Sequence, residues 1–407
     1  MKIGIVAPGI WNSIHLDMAQ ALGALGHDVA IYTEDGRAPS GARFLRFREG
    51  RLDFFVIHHV RRNPWTWLFD RLAKPWLGRR FFTTLAAMAR YFSATRDCDV
   101  YFVEGDWIGF FAAIIARFIP FRWIVCIHDS DYLRIPLSFP GRPASRWKEA
   151  VKLWVLGSAD LVRANSYVTR DALIAGGCAP ERIRVVPLHV TGWMRIDAIT
   201  DMPAFKARAR AEVFAKWSIP PGERLLVTMC RLVPVKGLDL AVRGFAVAAR
   251  RNTGLHLMIC GGDRVVPGIG SYGEHLAGIA TEEGVAAQVI FTGNIDIREV
   301  KRYFAAADLQ LAPSVIDTFN YGVIEAAMVE TFTIASDMVG AGPWVKEVGA
   351  AAIVPGRDPE DWGRAIETFV AHGVAPFSGG AITAQLEPQR IAAMLLELAH
   401  EVVPRPA

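Results

Sequence analysis

Residues 314–328 read SVIDTFNYGVIEAAM and carry two acidic residues in two different settings. Asp317 follows an apolar run and stands beside Thr318, Phe319, Asn320 and Tyr321, which suit a loop. Eight positions later, Glu325 falls inside VIEAAM, whose other residues predict a buried helix. The dipole at a helix start favours a carboxylate. Yet Val323, Ile324, Ala326, Ala327 and Met328 are all apolar. A carboxylate among them needs a partner, and a ribose diol would supply two donors. A helix beginning near Tyr321 would also leave backbone N–H groups over 319–323 open to an anion.

The same strand, loop and helix order recurs along the chain, which predicts parallel sheets with crossover helices. KIGIVAP, HDVAIYT, DVYFVE, RWIVCIH, DLVRANS and IRVVPL read as strands of a first domain over residues 1–192, with helical spacing between most of them. Residues 193–222 show no strand signal, end in a Pro-Pro-Gly turn and read as a linker. Alternation restarts with RLLVTMC, LHLMICG, QVIFTG, LQLAPS and FTIASD, giving a second domain over 223–385. Residues 386–407 predict a helix that can cross back to the first domain. The fold class is therefore α/β, with two Rossmann-like, doubly wound parallel sheets. Ligands of such sheets bind beyond the carboxyl ends of the strands, and the cleft between two such domains is the expected site.

TMCRLVPVKGLDLAVRGF supplies a second constellation. A strand ends near Cys230, Arg231 and Lys236 follow in a short loop, and Gly237 opens a helix. Two cations at a helix N-terminus suit a diphosphate; two solvated cations beside a turn would look the same.

The composition fits this picture. At 407 residues with 52% hydrophobic and 21% charged residues, the chain can build two cores. Five scattered cysteines, without a Cys-x-x-Cys pair, point to reduced thiols and a cytoplasmic setting rather than to disulfides or zinc. MKIGIVAPGI enters a strand directly and does not read as a signal peptide. Arg117, Pro120 and Arg122 interrupt the apolar stretch 107–127, which predicts a buried helix and then a strand rather than a membrane span. Residues 1–200 hold 26 Lys and Arg against 18 Asp and Glu, whereas the remainder holds 19 against 23. The basic first half fits an anionic partner, such as lipid headgroups or a charged acceptor, as well as it fits mere surface composition.

Taken together, these motifs resemble the retaining glycosyltransferases of family 4, which have the GT-B fold. The resemblance rests on the acidic pair Asp317 and Glu325 with seven residues between them, and on Arg231, Lys236 and Gly237 after the first strand of the second domain. GHDV (26–29), CIHDS (126–130) and FTG (291–293) match in the right order, and the likeness is strongest over 224–356. It implies that Arg231 and Lys236 bind a donor diphosphate and that Glu325 holds the nucleotide ribose. Asp317 and the amides of Phe319, Asn320, Tyr321 and Gly322 would face the transferred sugar and phosphate. His128 would lie near the reacting sugar carbon, and Gly9 would let the backbone approach the donor. Catalysis would then involve His128, Arg231, Lys236 and Asp317, with no metal and no cofactor beyond the nucleotide-sugar co-substrate. Three positions depart from the family: Asp317 stands where Glu is usual, LHVTG (188–192) replaces NGVD, and CGGD (260–263) replaces a Gly-rich GxGP.

The implied reaction moves a sugar from a nucleotide diphosphate sugar to a hydroxyl of a glycan or lipid-linked acceptor. The implied mechanism is front-face attack, in which the leaving phosphate oxygen takes the acceptor proton. A nucleotide-sugar epimerase of the same fold and a non-catalytic nucleotide-sugar-binding protein are the alternatives; nucleic acid is not an expected partner. DCD (97–99) and DSD (129–131) imitate a metal-binding Asp-x-Asp but read as chance matches, since Arg231 and Lys236 can neutralise a diphosphate. His58 and His59 read as structural, and Gly261-Gly262 as a turn. RRNPWTWLFDRLAKPWLGRRFF (61–82) interleaves Trp with Arg and Lys. It suits either peripheral contact with an anionic membrane at the inner face or packing inside the domain.

Overall fold

A computed structural model describes residues 1–7, 9, 14–33, 45–56, 68–72, 81–105, 107–128, 146–194, 196 and 198–403. His58, His59, the DSD motif and most of 61–82 lie outside them. The chain divides into two compact units; their described residues lie within Met1–Arg134, Ala144–Thr191 and from Leu386 onward in one, and within Gly192–Gln385 in the other.

The first unit is built on eight strands: β1 (Lys2–Val6), β2 (Asp28–Thr33), β3 (Leu45–Glu49), β4 (Leu52–Val56), β5 (Val100–Glu104), β6 (Trp123–Ile127), β7 (Leu161–Ala164) and β8 (Ile183–Val185). Their order is β3-β4-β2-β1-β5-β6-β7-β8. All pairs are parallel except β3 with β4, an antiparallel edge hairpin that the sequence reading did not anticipate. Every residue of β6 is buried, as expected where helices cover both faces of a parallel sheet. Residues 107–127 form a short helix, Trp107–Ile115, and then β6. Among the described residues no helix is long and apolar enough to cross a membrane. Tyr91, on the helix Phe81–Ala94, packs on Tyr32, Phe55 and Tyr101 and donates its hydroxyl to the carbonyl of Ala30 at 2.8 Å.

The end of the chain is part of this unit. The helix Pro388–Val402 packs against the helix Ile14–Ala24. Val190 N–H donates to the carbonyl of Leu386 at 2.8 Å, and Arg184 pairs with Glu401 at 2.7 Å.

The second unit has β9 (Arg224–Met229), β10 (Leu255–Cys260), the small hairpin β11 (Val265–Val266) and β12 (Gly270–Ser271), then β13 (Val289–Gly293), β14 (Leu309–Ala312), β15 (Phe332–Ser336) and β16 (Ala351–Val354). The parallel sheet runs β13-β10-β9-β14-β15-β16, the dinucleotide-fold order with its reversal between β9 and β14. Residues 193–222, read above as a linker, contain the helix Met202–Trp217, which starts at an Asp201 cap and packs on the helix Val300–Ala306. Its Ala209, Val213 and Phe214 are buried in the core of the second unit.

Candidate functional site

Two loops leave the second sheet at its reversal. The first follows β9. Arg231 is exposed and makes no hydrogen bond or ion pair among the described residues. Pro234–Lys236 forms a single 3-10 turn, and Gly237 caps the helix Leu238–Ala249. Gly237 has a φ of 66°, and a Cβ there would stand 2.0 Å from the carbonyl oxygen of Pro313, so only glycine fits. The second loop follows β14 and runs through Pro313 to Asn320 before the helix Tyr321–Met328. Asn320 sits at φ 70°, a left-handed conformation that Asn tolerates better than most residues.

The loops are tied together. Val315 N–H donates to the carbonyl of Val235 at 2.9 Å, and Lys236 Nζ donates to Asp317 Oδ2. Asp317 is also fixed through its backbone. Its N–H donates to Met338 O at 2.9 Å, and its carbonyl accepts from Gly340 N–H at 2.8 Å. Ala341 N–H donates to the carbonyl of Phe319 at 2.7 Å, and the Phe319 ring packs on Tyr321 and Trp344. From behind, Arg357 donates to Pro313 O at 3.2 Å and pairs with Asp239 at 3.4 Å. The Gly261-Gly262 turn lies beside the first loop: Leu232 N–H donates to Gly262 O at 3.1 Å, and a Cβ on Gly261 would strike Cys230 O.

Glu325 is 8% exposed and accepts no hydrogen bond among the described residues. Burial pushes its carboxyl up to about 7, against a weak opposing pull from Lys301. A carboxylate so shielded is costly to keep ionised without a donor. The second unit thus brings Lys236, Gly237, Asp317 and the start of the Tyr321–Met328 helix together, with Arg231 on the exposed side of the first loop and Glu325 one turn inside the helix.

His128 and Gly9 belong to the first unit. Gly9 lies just beyond β1, and His128 is the residue after β6. His128 Nε2 lies 3.2 Å from Oε1 of Glu104, the last residue of β5, and His15 Nδ1 lies 3.4 Å from the same oxygen. Burial alone would push the Glu104 carboxyl up, but His128, His15 and Arg163 outweigh it and hold the group below its usual range. Burial pushes the imidazoles of His15 and His189 down. Sequence reasoning missed Glu104, His15 and His189. Arg163, in the apolar strand LVRA, was the available signal, because a buried arginine needs acceptors: it donates to the carbonyls of Val186 and Pro187 at 3.2 and 2.8 Å.

Among the described residues, Glu104, Cys126 and His128 form the one group of three His, Cys, Asp or Glu side chains whose ligand atoms all lie within 4.8 Å of one another. Burial pushes the Cys126 thiol up to about 12, and the Arg163 guanidinium already lies beside it. The DCD carboxylates are engaged by Lys2, Asp99 through the backbone N–H at 2.7 Å and Asp97 through Nζ.

Two doubly wound sheets in one chain, with cations and a helix start gathered at the reversal of the second, define the GT-B class. Solved structures agree on the fold. Sucrose-phosphate synthase from Thermosynechococcus elongatus superposes with a TM-score of 0.68 at 18% identity, covering 98% of each chain. Anabaena HepE in complex with UDP and glucose gives 0.67 at 16%, covering 98% of this chain and 99% of that one. The description "Glycosyl transferases group 1" matches residues 209–374, and "Glycosyl transferase 4-like domain" matches 9–189. Both halves of the chain thus match glycosyl transferase families. A D-inositol 3-phosphate glycosyltransferase of Mycobacterium sp. (strain KMS) is 27% identical over 206 residues, 50% of this chain and 45% of its own length. The counterpart in Rhodococcus jostii (strain RHA1) is 27% identical over 285 residues, 68% of this chain and 57% of its own. The match thus spans about half the length of these relatives.

Proposed function

We propose that the protein is a retaining glycosyltransferase that moves a sugar from a nucleotide diphosphate sugar to a hydroxyl acceptor. Glu325 carries the reading: a buried carboxylate without a donor among the described residues, one turn inside a helix that starts at the sheet reversal, is suited to a ribose diol. Arg231 and Lys236 would neutralise the diphosphate as charge develops on the leaving group. The backbone N–H groups and dipole at the helix start would add to that stabilisation. Asp317 would accept from sugar hydroxyls once Lys236 turns to the phosphate. His128 would act on the transferred sugar. No metal is needed in this scheme, because the cations supply the charge.

UDP-sugars are the first donors to test, since HepE was solved with UDP and glucose. The basic first half and the inositol phosphate named for the curated relatives favour an anionic acceptor, either a phosphorylated polyol or a lipid-linked glycan at a membrane surface. Thermal melts with UDP-, GDP- and dTDP-sugars, followed by an assay for nucleoside diphosphate release with candidate acceptors, test the reading. A matching donor should raise Tm, and the product should keep the anomeric configuration of the donor. Donor turnover without any acceptor would indicate an epimerase. Binding without turnover would indicate a non-catalytic binder, and no stabilisation by any nucleotide sugar would refute all three.

A further inference from the structure

Glu104 belongs to none of the recognised motifs, yet it stands at the end of β5, beside the strand-order reversal of the first sheet. Its Oε1 is shared by His128 Nε2 at 3.2 Å and His15 Nδ1 at 3.4 Å. The three side chains are only 15–17% exposed, and the two imidazole rings meet edge to face with centroids 6.1 Å apart. We propose that Glu104 is a positioning residue whose carboxylate accepts the Nε2 proton of His128, fixing both the tautomer and the direction of that ring, with His15 as a second brace.

The surrounding groups leave Glu104 to the imidazoles. Arg163, from β7, donates to the carbonyls of Val186 and Pro187 and acts on Glu104 only through its charge. His189, beyond β8, lies 3.8 Å from Asp17 rather than at Glu104. Cys126, opposite Glu104 in the β5–β6 register, carries a protonated thiol. An ionised carboxylate can only accept. The nitrogen facing it must therefore be the one that bears hydrogen. The backbone of His128 is held as well: Asn165 donates to its carbonyl at 3.4 Å, and Asn165 itself accepts from Thr169 Oγ1 at 2.7 Å. Ring and main chain are thus fixed from two sides, which is what a side chain needs if it is to meet a substrate atom without rearranging.

The inference depends on the glycosyltransferase reading only for what His128 does once positioned, and the test separates the two. Long-range 1H–15N correlation spectra of the full-length protein, with His128 assigned by its loss in His128→Ala, should show His128 as the Nε2–H tautomer without any substrate. An Nδ1–H tautomer in the unmodified protein overturns the proposal. Glu104→Gln should relax the tautomer and lower kcat about 10- to 100-fold, with the donor KM within about twofold. In a His128→Ala background the same change should cost nothing further. Multiplicative losses in both backgrounds, with matching losses of Tm, would instead make Glu104 a structural brace and overturn the proposal. Should Glu104→Gln fail to fold, the spectrum of the unmodified protein and the same cycle run with Glu104→Asp decide the matter. Absence of any transfer by the unmodified protein would sink the functional reading and leave the tautomer test standing.

Discussion

Lys236 donates to the carboxylate of Asp317, although 81 residues separate them and each follows a different strand of the second sheet. Their side chains are 18% and 11% exposed, so the pair is largely shielded from solvent. Removing one partner strands the other. Lys236→Ala or Asp317→Ala should each cost roughly 1–3 kcal/mol in urea unfolding, less than a fully buried pair. The double variant should recover part of that loss. Full additivity would mean that the contact contributes nothing.

The same lysine should matter to turnover. Arg231→Ala and Lys236→Ala are each expected to lower kcat/KM about 100-fold. Their combination should fall well short of the product, because both would serve one diphosphate. Small, multiplicative effects in steady-state kinetics would return them to the role of solvated surface cations.

Glu325 makes a prediction about pH. Its folded value of about 7 stands above the ordinary 4.5, so the native state holds the proton more tightly. The stability linked to this group is present below about pH 4.5 and is lost as pH rises through 7. His15 and His189 are shifted down, so their contribution has the opposite slope, destabilising as pH falls below 6.5. The difference between the unmodified protein and Glu325→Gln isolates the carboxyl. Glu325→Gln should gain on the order of 2–3 kcal/mol at pH 8 relative to pH 5. Glu325→Ala should weaken donor binding by roughly 1.5–3 kcal/mol. Unchanged donor affinity in calorimetry would remove Glu325 from the site.

Chelation should leave activity intact. If excess EDTA abolishes transfer and magnesium or manganese restores it, the cations of the second unit are insufficient and an ion has to be added to the scheme.

A membrane encounter is expected of the first unit. Leu68, Phe69 and Leu72 are 38%, 48% and 61% exposed, and their flanks in the sequence alternate Trp with Arg and Lys. Aromatic and basic side chains together favour an anionic interface. In flotation assays the protein should bind phosphatidylserine vesicles at low salt and leave them at high salt. It should bind less after replacement of Trp65, Trp67 and Trp76 by Ala. No binding at low salt would return the segment to the protein interior or an acceptor pocket.

The sheets were legible in the sequence because parallel strands are buried on both faces and read as short apolar runs, RLLVTMC and RWIVCIH among them. β3 was not, since LRFRE alternates arginine with apolar residues at a sheet edge and resembles a loop. The helix Met202–Trp217 was missed for a related reason: it buries few residues, and its many charges hide the spacing. The residues of the second-unit loops could be picked out because each directly follows a strand. The pairing of Lys236 with Asp317 could not, because it depends on β9 and β14 being neighbours, which only the strand order reveals. Glu104 and His15 were hidden in the same way, as the end of one strand and the start of a helix far apart in the chain.

Among the described residues, the second unit draws on Gly192–Gln385 alone, whereas the first needs residues on both sides of that stretch, including the helix that begins at Pro388. On the ribosome, the first unit therefore emerges early and must wait. Even after Thr191 has been made, the face of Ile14–Ala24 that Pro388–Val402 covers stays bare for roughly two hundred further residues, which at ordinary elongation rates is a delay of about 10–40 s. During that interval the nascent chain presents an apolar surface of the kind chaperones hold, while the later-made half can already close on itself.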